Sequence, residues 1–258
     1  MTTRYKFTIE YDGTNYAGWQ RQDNDGPSTI QGEIEKAIHA FSGQDANLQC
    51  AGRTDAGVHA WGQVAHADFE NFTRAMEPFE ITKAINAHLR PQPISIIQTE
   101  IAPQDFHARF AAKNKLYVYR ILNRQSFPAI EAGKLWHIRR PLDAPAMHEA
   151  AQLLLGQHDF TTFRDSECQA KNPVRTLDRL SVTTQPYDAH DGVEIRIEAE
   201  AMSFLHHMVR NIVGTLTLIG EGKWNADNLL TALQAKDRTK GGPTAPAAGL
   251  SLKHIDYE

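Results

Sequence analysis

Cysteine is scarce in this sequence: its 258 residues include two, Cys50 and Cys168, and neither belongs to a CxxC pair. The sequence therefore predicts neither a disulfide framework nor a cysteine-based zinc site. No apolar run approaches the roughly 20 residues of a membrane-spanning helix. The N-terminal residues MTTRYKFTIEYDG contain no signal-peptide core, so we expect a protein of the cytoplasm with no membrane partner.

Several common ligand-binding motifs are also missing. The stretch GTNYAGWQ has glycines at P-loop spacing but lacks the Lys-Ser/Thr that follows them, and no GxGxxG follows a predicted strand. The histidines form no HExxH, and no zinc-deaminase HxE with a later PCxxC occurs. His206 and His207 are adjacent, so on a predicted helix their side chains diverge by roughly 100°. The sequence predicts no metal site.

Charge is distributed unevenly along the chain. The net charge is −4, but residues 109–140 contain eight Lys or Arg and a single acid, Glu131. An acidic body with one basic stretch fits a local nucleic-acid surface. An ordinary solvated charged face explains the same composition equally well. Charge alone does not decide between them.

Hydrophobic periodicity predicts an α+β fold. Tyr5, Phe7, Ile9 and Tyr11 alternate with polar residues, as in a half-buried strand, and strand patterns recur at 61–69, 94–102, 116–122, 177–185 and 193–200. Helices are predicted at 30–41, opened by a capping box of Ser28 and Gln31, and at 77–89, 145–155, 203–220 and 226–236.

The order of these elements predicts two α/β halves of similar make-up. We place their boundary near residue 110, where the basic stretch begins. The N-terminal domain is then 1–110, and the C-terminal domain, with the basic stretch and the HHMVRN helix, is 111–258. A cleft between two such domains is a common place for a site.

The stretch AGRTDAGVHA, residues 51–60, sets a single carboxylate, Asp55, between Gly52 and Gly57. Arg53 and His59 are close by in the sequence. Glycine permits backbone conformations that other residues avoid and lets another molecule approach the chain closely. This pattern suggests a functional role for the aspartate.

Arg210 lies in a predicted helix that is apolar around much of its circumference. A buried guanidinium is costly unless an acceptor such as a carboxylate compensates it, and Asp55 is a candidate. An adjacent arginine would favour the ionised form that a carboxylate nucleophile or base requires. Alternatively, Arg210 extends its side chain to the surface.

Tyr117 and Tyr119 alternate on one predicted strand of the basic stretch, between Lys115 and Arg120. Aromatic rings beside cations on a sheet can stack on flipped or single-stranded bases. Tyrosines packed in a sheet core give the same pattern, since Tyr is a frequent strand residue.

Taken together, the motifs resemble those of the tRNA pseudouridine synthase A family over nearly the whole chain. The stretches that carry the resemblance are YDGTNYAGWQRQ (11–22), AGRTDAGVHA (51–60), FHARF (106–110), KLYVYRI (115–121), HDFTTFR (158–164), HHMVRNIVG (206–214) and the terminal AAGLSLKHIDY. The resemblance implies two α/β halves, each on a mainly antiparallel sheet flanked by helices, joined into one extended sheet. It also implies a homodimer that binds tRNA and needs no cofactor or metal.

The resemblance also implies roles for individual residues. Asp55 is the nucleophile or base that converts uridine to pseudouridine, at positions 38, 39 and 40 of the anticodon stem-loop. Tyr117 stacks on the target uracil, Arg210 pairs with Asp55, and Arg53 helps to displace the target base and takes its place. The residues leave open a covalent adduct or removal of a sugar proton.

Two other classes of function remain alternatives. A glycoside hydrolase needs a second positioned carboxylate as its acid, and AGRTDAGVHA offers only Asp55. A non-catalytic RNA-binding module could use the basic sheet but would not need an Asp–Arg pair.

Overall fold

The structure is a computed structural model that describes residues 2–22, 26–70, 72 and 75–258. The chain divides into two compact units: a first unit, Met1–Lys113 with Leu252–Glu258, and a second unit, Asn114–Ser251. The predicted domains 1–110 and 111–258 differ from this division at the C-terminus, because Leu252–Glu258 packs with the first unit.

In the described residues, the strands are β1 (Thr2–Tyr11), β2 (Gln49–Cys50), β3 (His59–Glu70), β4 (Ile94–Ala102), β5 (Asn114–Asn123), β6 (Trp136–Ile138), β7 (Gly156–Asp159), β8 (Val174–Leu177), β9 (Arg179–Pro186), β10 (Val193–Ala201) and β11 (Leu250–Asp256). The helices are α1 (Ile30–Ser42), α2 (Pro78–Leu89), α3 (Ala144–Gln152), α4 (Met208–Gly220) and α5 (Ala226–Ala235).

The first unit has the strand order β4-β1-β3-β11, and β2 pairs with β3. Strand β1 is antiparallel to both β3 and β4. Its alternating residues Tyr5, Phe7, Ile9 and Tyr11 are buried, as the period-2 pattern predicts. Helices α1 and α2 pack against each other, and α2 packs on β4.

The N-cap of helix α1 lies one residue later than predicted. The N-cap is Thr29, whose hydroxyl accepts a hydrogen bond from the N–H of Gly32. The predicted Ser28–Gln31 capping box is therefore wrong. The Gln31 side chain is buried and donates to Oε1 of Glu35 at 2.8 Å, so it belongs to an interior polar cluster.

The second unit is built on strands in the order β5-β10-β9, which are antiparallel neighbours. Strand β6 is parallel to β5, while β7 and β8 form a separate antiparallel pair. Helix α3 packs on β9 and α4 packs on α3. Almost every residue of α4 is buried, which explains its apolar sequence.

Mainly antiparallel strands flanked by helices confirm the predicted α+β class. Two predicted helices are shorter than expected, because α3 ends at Gln152 and not at Leu155, and α4 begins at Met208 and not at Ser203. His207, its N-cap, has the left-handed backbone conformation with φ 58°, which ends any helical path before it. In the described part of the chain, no helix is long and apolar enough to cross a membrane.

Candidate active site

The loop between β2 and β3, residues 51–58, holds Asp55 and is anchored at its start by hydrogen bonds to β3. The N–H of Ala51 donates to the carbonyl of Val64 at 2.8 Å, and Nε2 of Gln63 donates to the carbonyl of Gly52 at 2.7 Å. These contacts fix the start of the loop on β3.

A buried hydroxyl pair holds the residue next to Asp55. The hydroxyl of Tyr11, on β1, lies 2.8 Å from Oγ1 of Thr54, and both side chains are buried. Burial raises the pKa of Tyr11, although hydrogen bonds with Thr54 and Gln63 oppose the effect, so the phenol stays protonated. The sheet thereby holds the loop in place by a hydrogen bond at the residue immediately before Asp55.

The chain after β1 passes so close to the loop that two positions require glycine. A Cβ on Gly18 would lie 2.7 Å from the carbonyl oxygen of Thr54, and one on Gly13 would lie 2.0 Å from that of Val58. This closeness allows the N–H of Trp19 to donate to the carbonyl of Thr54 at 3.0 Å. The loop therefore rests on a second segment of backbone.

Asp55 is half-buried and lies at the start of a tight turn. Its carbonyl accepts a hydrogen bond from the N–H of Val58 at 3.1 Å, and Gly57 has φ +76°. Only glycine adopts this conformation without strain, which explains one of the two glycines beside the acid. Arg53 precedes Asp55 in the same loop and is exposed.

His59 supports the loop from within. It is buried, and its Nδ1 accepts a hydrogen bond from the N–H of Gly13 at 3.0 Å. That contact makes the imidazole a link between the segment after β1 and the start of β3. The histidine of the motif thus helps to hold the loop in place.

The electrostatics at the entrance to the loop are cationic. Burial raises the pKa of the Cys50 thiol to about 11, and the charges of Arg53 and Arg109 oppose this effect. Because the raised pKa keeps the thiol protonated at neutral pH, Cys50 is poorly suited to act as a nucleophile.

The second unit holds Tyr117 and Arg210. Tyr117, on β5, is 8% exposed, and its ring meets Phe204 edge to face at 5.1 Å between centroids. Tyr119 is fully buried and its hydroxyl donates to the carbonyl of Pro246 at 2.7 Å, so it belongs to the core. Of the two alternatives for these tyrosines, Tyr119 therefore matches packing in the sheet core.

Arg210 is half-buried, on an otherwise mostly buried helix. Its Nε donates to the carbonyl of Ala245 at 2.8 Å, and the N–H of Ala245 donates to the carbonyl of Arg210 at 3.1 Å. The segment before β11 thereby orients the guanidinium. The predicted pairing of Arg210 with Asp55 concerns residues of different units and stays a prediction.

The two histidines before α4 do not diverge as a helix would require. Their ring centroids are 4.0 Å apart with an interplanar angle of 33°. Nδ1 of His207 lies 2.6 Å from Oδ2 of Asp165, and the N–H of Asp165 donates to the carbonyl of His206 at 3.0 Å. The expectation that these two side chains diverge is therefore wrong, so it cannot be used to exclude a metal. That the protein needs no metal stays a prediction.

The basic stretch is less available for RNA than its sequence indicates. Arg120 binds Glu131 and Glu194, with its nearest contact at 2.8 Å, and Arg124 binds Asp188 at 2.6 Å. Lys115 is buried, and its Nζ donates to the carbonyl of Met202 at 2.9 Å. The exposed cations of the stretch are Arg109, Lys113, Lys134, Arg139 and Arg140.

The supporting residues are those that sequence reasoning misses. Tyr11, Thr54 and Gln63 hold the loop of Asp55, and Phe204 lies against Tyr117. Gly18 gives a usable signal, because a glycine in a polar loop often marks a close approach of two backbones. Tyr11 gives none, since it reads as one more apolar residue of an alternating strand.

Comparison with known proteins agrees with this arrangement of motifs. Residues 8–111 and 150–258 match the family described as tRNA pseudouridine synthase. A protein of Rhodopseudomonas palustris named tRNA pseudouridine synthase A is 54% identical over 255 residues, which cover 99% of each chain. A protein of the same name from Paramagnetospirillum magneticum is 52% identical over 254 residues, which cover 98% of this chain and 95% of that protein. A third protein of that name, from Rhodospirillum centenum, is 53% identical over 254 residues, which cover 98% of this chain and 99% of that protein. The chain belongs to the tRNA pseudouridine synthase family of isomerases.

Proposed function

We propose that this protein isomerises uridine to pseudouridine in the anticodon stem-loop of tRNA, at positions 38, 39 and 40, with Asp55 as nucleophile or base. Family membership supports the reaction and the tRNA substrate. The observation that carries the role of Asp55 is its place on a loop held from two sides by strands and by the backbone of Thr14–Trp19. A fixed, half-buried carboxylate is suited to chemistry that needs precise placement.

The reaction needs little beyond such a carboxylate. The bond between N1 of uracil and C1′ of the ribose breaks, the base turns, and C5 bonds to C1′. The proton lost from C5 is balanced by the proton that N1 gains, so nothing is oxidised or hydrolysed. Asp55 either adds covalently or removes a proton from the sugar. We therefore propose that the enzyme acts without a cofactor or metal.

The target uridine must leave its stack, which costs a few kcal/mol. Arg53 is exposed and two residues from Asp55, so it is suited to fill the place that the base leaves. We assign to Tyr117 the stacking on the extruded uracil, and to Arg210 the ion pair with Asp55. We further propose that the enzyme acts as a homodimer in the cytoplasm.

The test is to incubate the protein with an unmodified tRNA transcript, without added cofactor and with a chelator, and to map pseudouridine. We expect modification at positions 38–40 by the wild type. Asp55→Asn should form none, while its tRNA affinity stays within roughly tenfold, because affinity comes mostly from phosphate contacts. Asp45→Asn, at an exposed acid of the same unit, is the matched control and should react normally.

Each other result points elsewhere. Turnover by Asp55→Asn would remove the role of Asp55, and dependence on a metal would appear as loss of activity with the chelator. Release of free uracil would favour a glycoside hydrolase. Binding by the wild type without any modification would favour the RNA-binding module.

A further inference from the structure

A cluster of aromatic rings in the first unit has no part in the proposed reaction. It is formed around FHARF, residues 106–110, which turns away from the end of β4. Ala108 at its centre is fully buried, and its N–H donates to Nδ1 of His66 at 3.2 Å. The carbonyl of Ala108 accepts from the hydroxyl of Tyr257 at 2.8 Å. The turn is thus anchored from inside, and its outer side chains project from a fixed backbone.

The rings form a continuous column that ends in solvent. The rings of His66 and His107 meet edge to face, with centroids 4.7 Å apart and an interplanar angle of 62°, and those of His107 and Phe110 are 4.3 Å apart with an interplanar angle of 39°. Phe110, the last ring, is 77% exposed. The guanidinium carbon of Arg109 lies 6.0 Å from the Phe110 centroid. An aromatic ring that is supported on one side and open on the other provides a stacking surface.

The column lies beside the loop of Asp55. His66 pairs with Gln49 across β2 and β3, so the innermost ring is one residue away from Cys50 along the strand. Arg109 immediately precedes Phe110 and is exposed, and Arg53 is exposed in the loop that follows β2. The exposed ring therefore has a cation beside it.

We propose that Phe110, supported by His107 and flanked by Arg109, binds an unpaired nucleotide of the RNA substrate next to the target uridine. The base stacks on the open face of Phe110, and Arg109 binds the adjoining phosphate. Every base has a face that can stack on an aromatic ring, so such a site tolerates different sequences. This proposal rests on the proposed function, which supplies the RNA.

The cations favour RNA over a second copy of this chain as the occupant. The chain has a net charge of −4, but Arg109 and Lys113 are exposed on either side of Phe110 in the sequence, and Arg53 is exposed in the loop that follows β2. Phosphates are attracted to such a surface and release their counterions on binding. A purely apolar contact would have no use for a guanidinium beside the ring.

The test measures binding of a tRNA transcript whose target uridines are replaced by cytidine. Because Phe110→Ala loses the stacking of one base, its tRNA affinity should be about five- to hundredfold weaker than that of the wild type. The affinity of Phe110→Tyr should stay within about twofold of the wild type. Phe110→Leu should resemble Phe110→Ala, since it keeps apolar volume and loses the ring. Arg109→Gln should lower the salt slope by about one unit.

Phe79→Ala is the matched control, because Phe79 is also an exposed aromatic of the first unit, 62% exposed with Lys83 5.7 Å from its ring. It should bind like the wild type. Wild-type affinity of Phe110→Ala or of Phe110→Leu would overturn the proposal. Dissociation of a wild-type dimer by Phe110→Ala, seen by sedimentation, would also overturn it and assign the ring to an interface between copies.

A 2-aminopurine placed in the anticodon loop gives a direct readout of stacking. Its fluorescence should be quenched by the wild type at one loop position and not by Phe110→Leu; equal quenching by both would refute stacking on Phe110. Pseudouridine mapping with the natural transcript tests the proposed function separately. A wild type that binds through Phe110 without modifying tRNA would remove the reaction and leave the nucleotide site standing.

Discussion

The hydroxyl of Tyr11 lies 2.8 Å from Oγ1 of Thr54, in a buried contact between β1 and the residue immediately before Asp55. Tyr11 touches no reacting atom in the proposed mechanism, so it is a positioning residue. A displacement of about 1 Å at a reacting group can cost a hundredfold in rate. If Asp55 acts as proposed, we therefore expect this contact to affect the rate of the reaction.

Tyr11→Phe and Thr54→Val should each lower the single-turnover rate about tenfold and leave tRNA affinity within about twofold. Each should also cost about 1–3 kcal/mol of stability, because one buried partner is left unsatisfied. The double variant should lose less than the sum of the two. Rates at saturating tRNA and urea unfolding measure these effects, and Thr54→Ser should restore most of the rate.

Tyr16→Phe controls for the loss of a buried tyrosine hydroxyl. Tyr16 is 6% exposed, and its hydroxyl donates to Oε1 of Gln92 at 2.7 Å. We expect a similar loss of stability with a normal rate. Equal rates for Tyr11→Phe and Tyr16→Phe would show that the Tyr11 contact stabilises the sheet without positioning Asp55.

Gly18 and Gly43 separate backbone strain from steric contact. Both have positive φ, +92° and +70°, but a Cβ on Gly18 would lie 2.7 Å from the carbonyl oxygen of Thr54, whereas one on Gly43 would meet nothing within 4 Å. Gly43→Ala should lose about 1–2 kcal/mol of stability through its backbone conformation alone. Gly18→Ala should lose more, because its Cβ also meets backbone. Only Gly18→Ala should also lose activity, by roughly a hundredfold, because it displaces the loop of Asp55. A Gly18→Ala variant with normal turnover would contradict the close approach.

Much of the fold follows from the sequence, since alternation and apolar periodicity are local properties. The prediction for β4, residues 94–102, matches the strand residue for residue. The start of α4 does not follow, because the left-handed conformation of His207 accompanies a contact with Asp165, 42 residues away. The predicted site residues show the same limit: Asp55 stands out by its motif, but the residues that hold its loop become visible only with the strand register.

Tyr117 should act through its ring. Tyr117→Phe keeps the ring and should retain tRNA binding, with a lower rate only if the hydroxyl takes part. Tyr117→Ala removes stacking worth about 1–3 kcal/mol and should lower the single-turnover rate much further. Tyr119→Phe is the control, since it loses a hydroxyl bonded to Pro246 inside the core and should lose stability alone. A wild-type rate for Tyr117→Ala would show that Tyr117, like Tyr119, only packs in the core and does not stack on the uracil.

Arg210→Met should abolish activity if its guanidinium compensates Asp55, since an unpaired buried charge costs about 3–5 kcal/mol when burial is complete. Arg210→Lys should recover only part of the activity, because it loses the Nε donor that Ala245 accepts. Arg238→Met, which removes contacts to Asn211, Gly242 and Thr244, controls for loss of a structural arginine nearby in the same unit. Activity of Arg210→Met equal to that of Arg238→Met would contradict a specific role.

The second unit contains a charge cluster whose stability should depend on pH. In the antiparallel register of β5 and β10, Arg120 stands opposite Arg196, a repulsive pair of like charges. Glu194 compensates both: its Oε1 lies 2.8 Å from Nε of Arg120 and 2.7 Å from Nε of Arg196. Burial raises the pKa of Glu194, but the hydrogen bonds and charges of the two arginines outweigh burial and lower the pKa from 4.5 to about 2.

The direction of the pH effect follows from that lowered pKa. In the unfolded chain Glu194 takes up a proton near its ordinary pKa of 4.5, whereas in the folded protein it stays ionised down to about 2. Its contribution is complete above about pH 4.5 and is lost as the pH falls towards 2. Glu194→Gln lacks this contribution, so the difference in unfolding free energy between wild type and variant should shrink by about 2 kcal/mol between about pH 6 and pH 3.

Urea unfolding at the two pH values measures this difference. Glu149→Gln, at an exposed position on α3, is the control and should show no such change. A difference between wild type and Glu194→Gln that is the same at both pH values would mean that the two arginines do not hold Glu194 ionised.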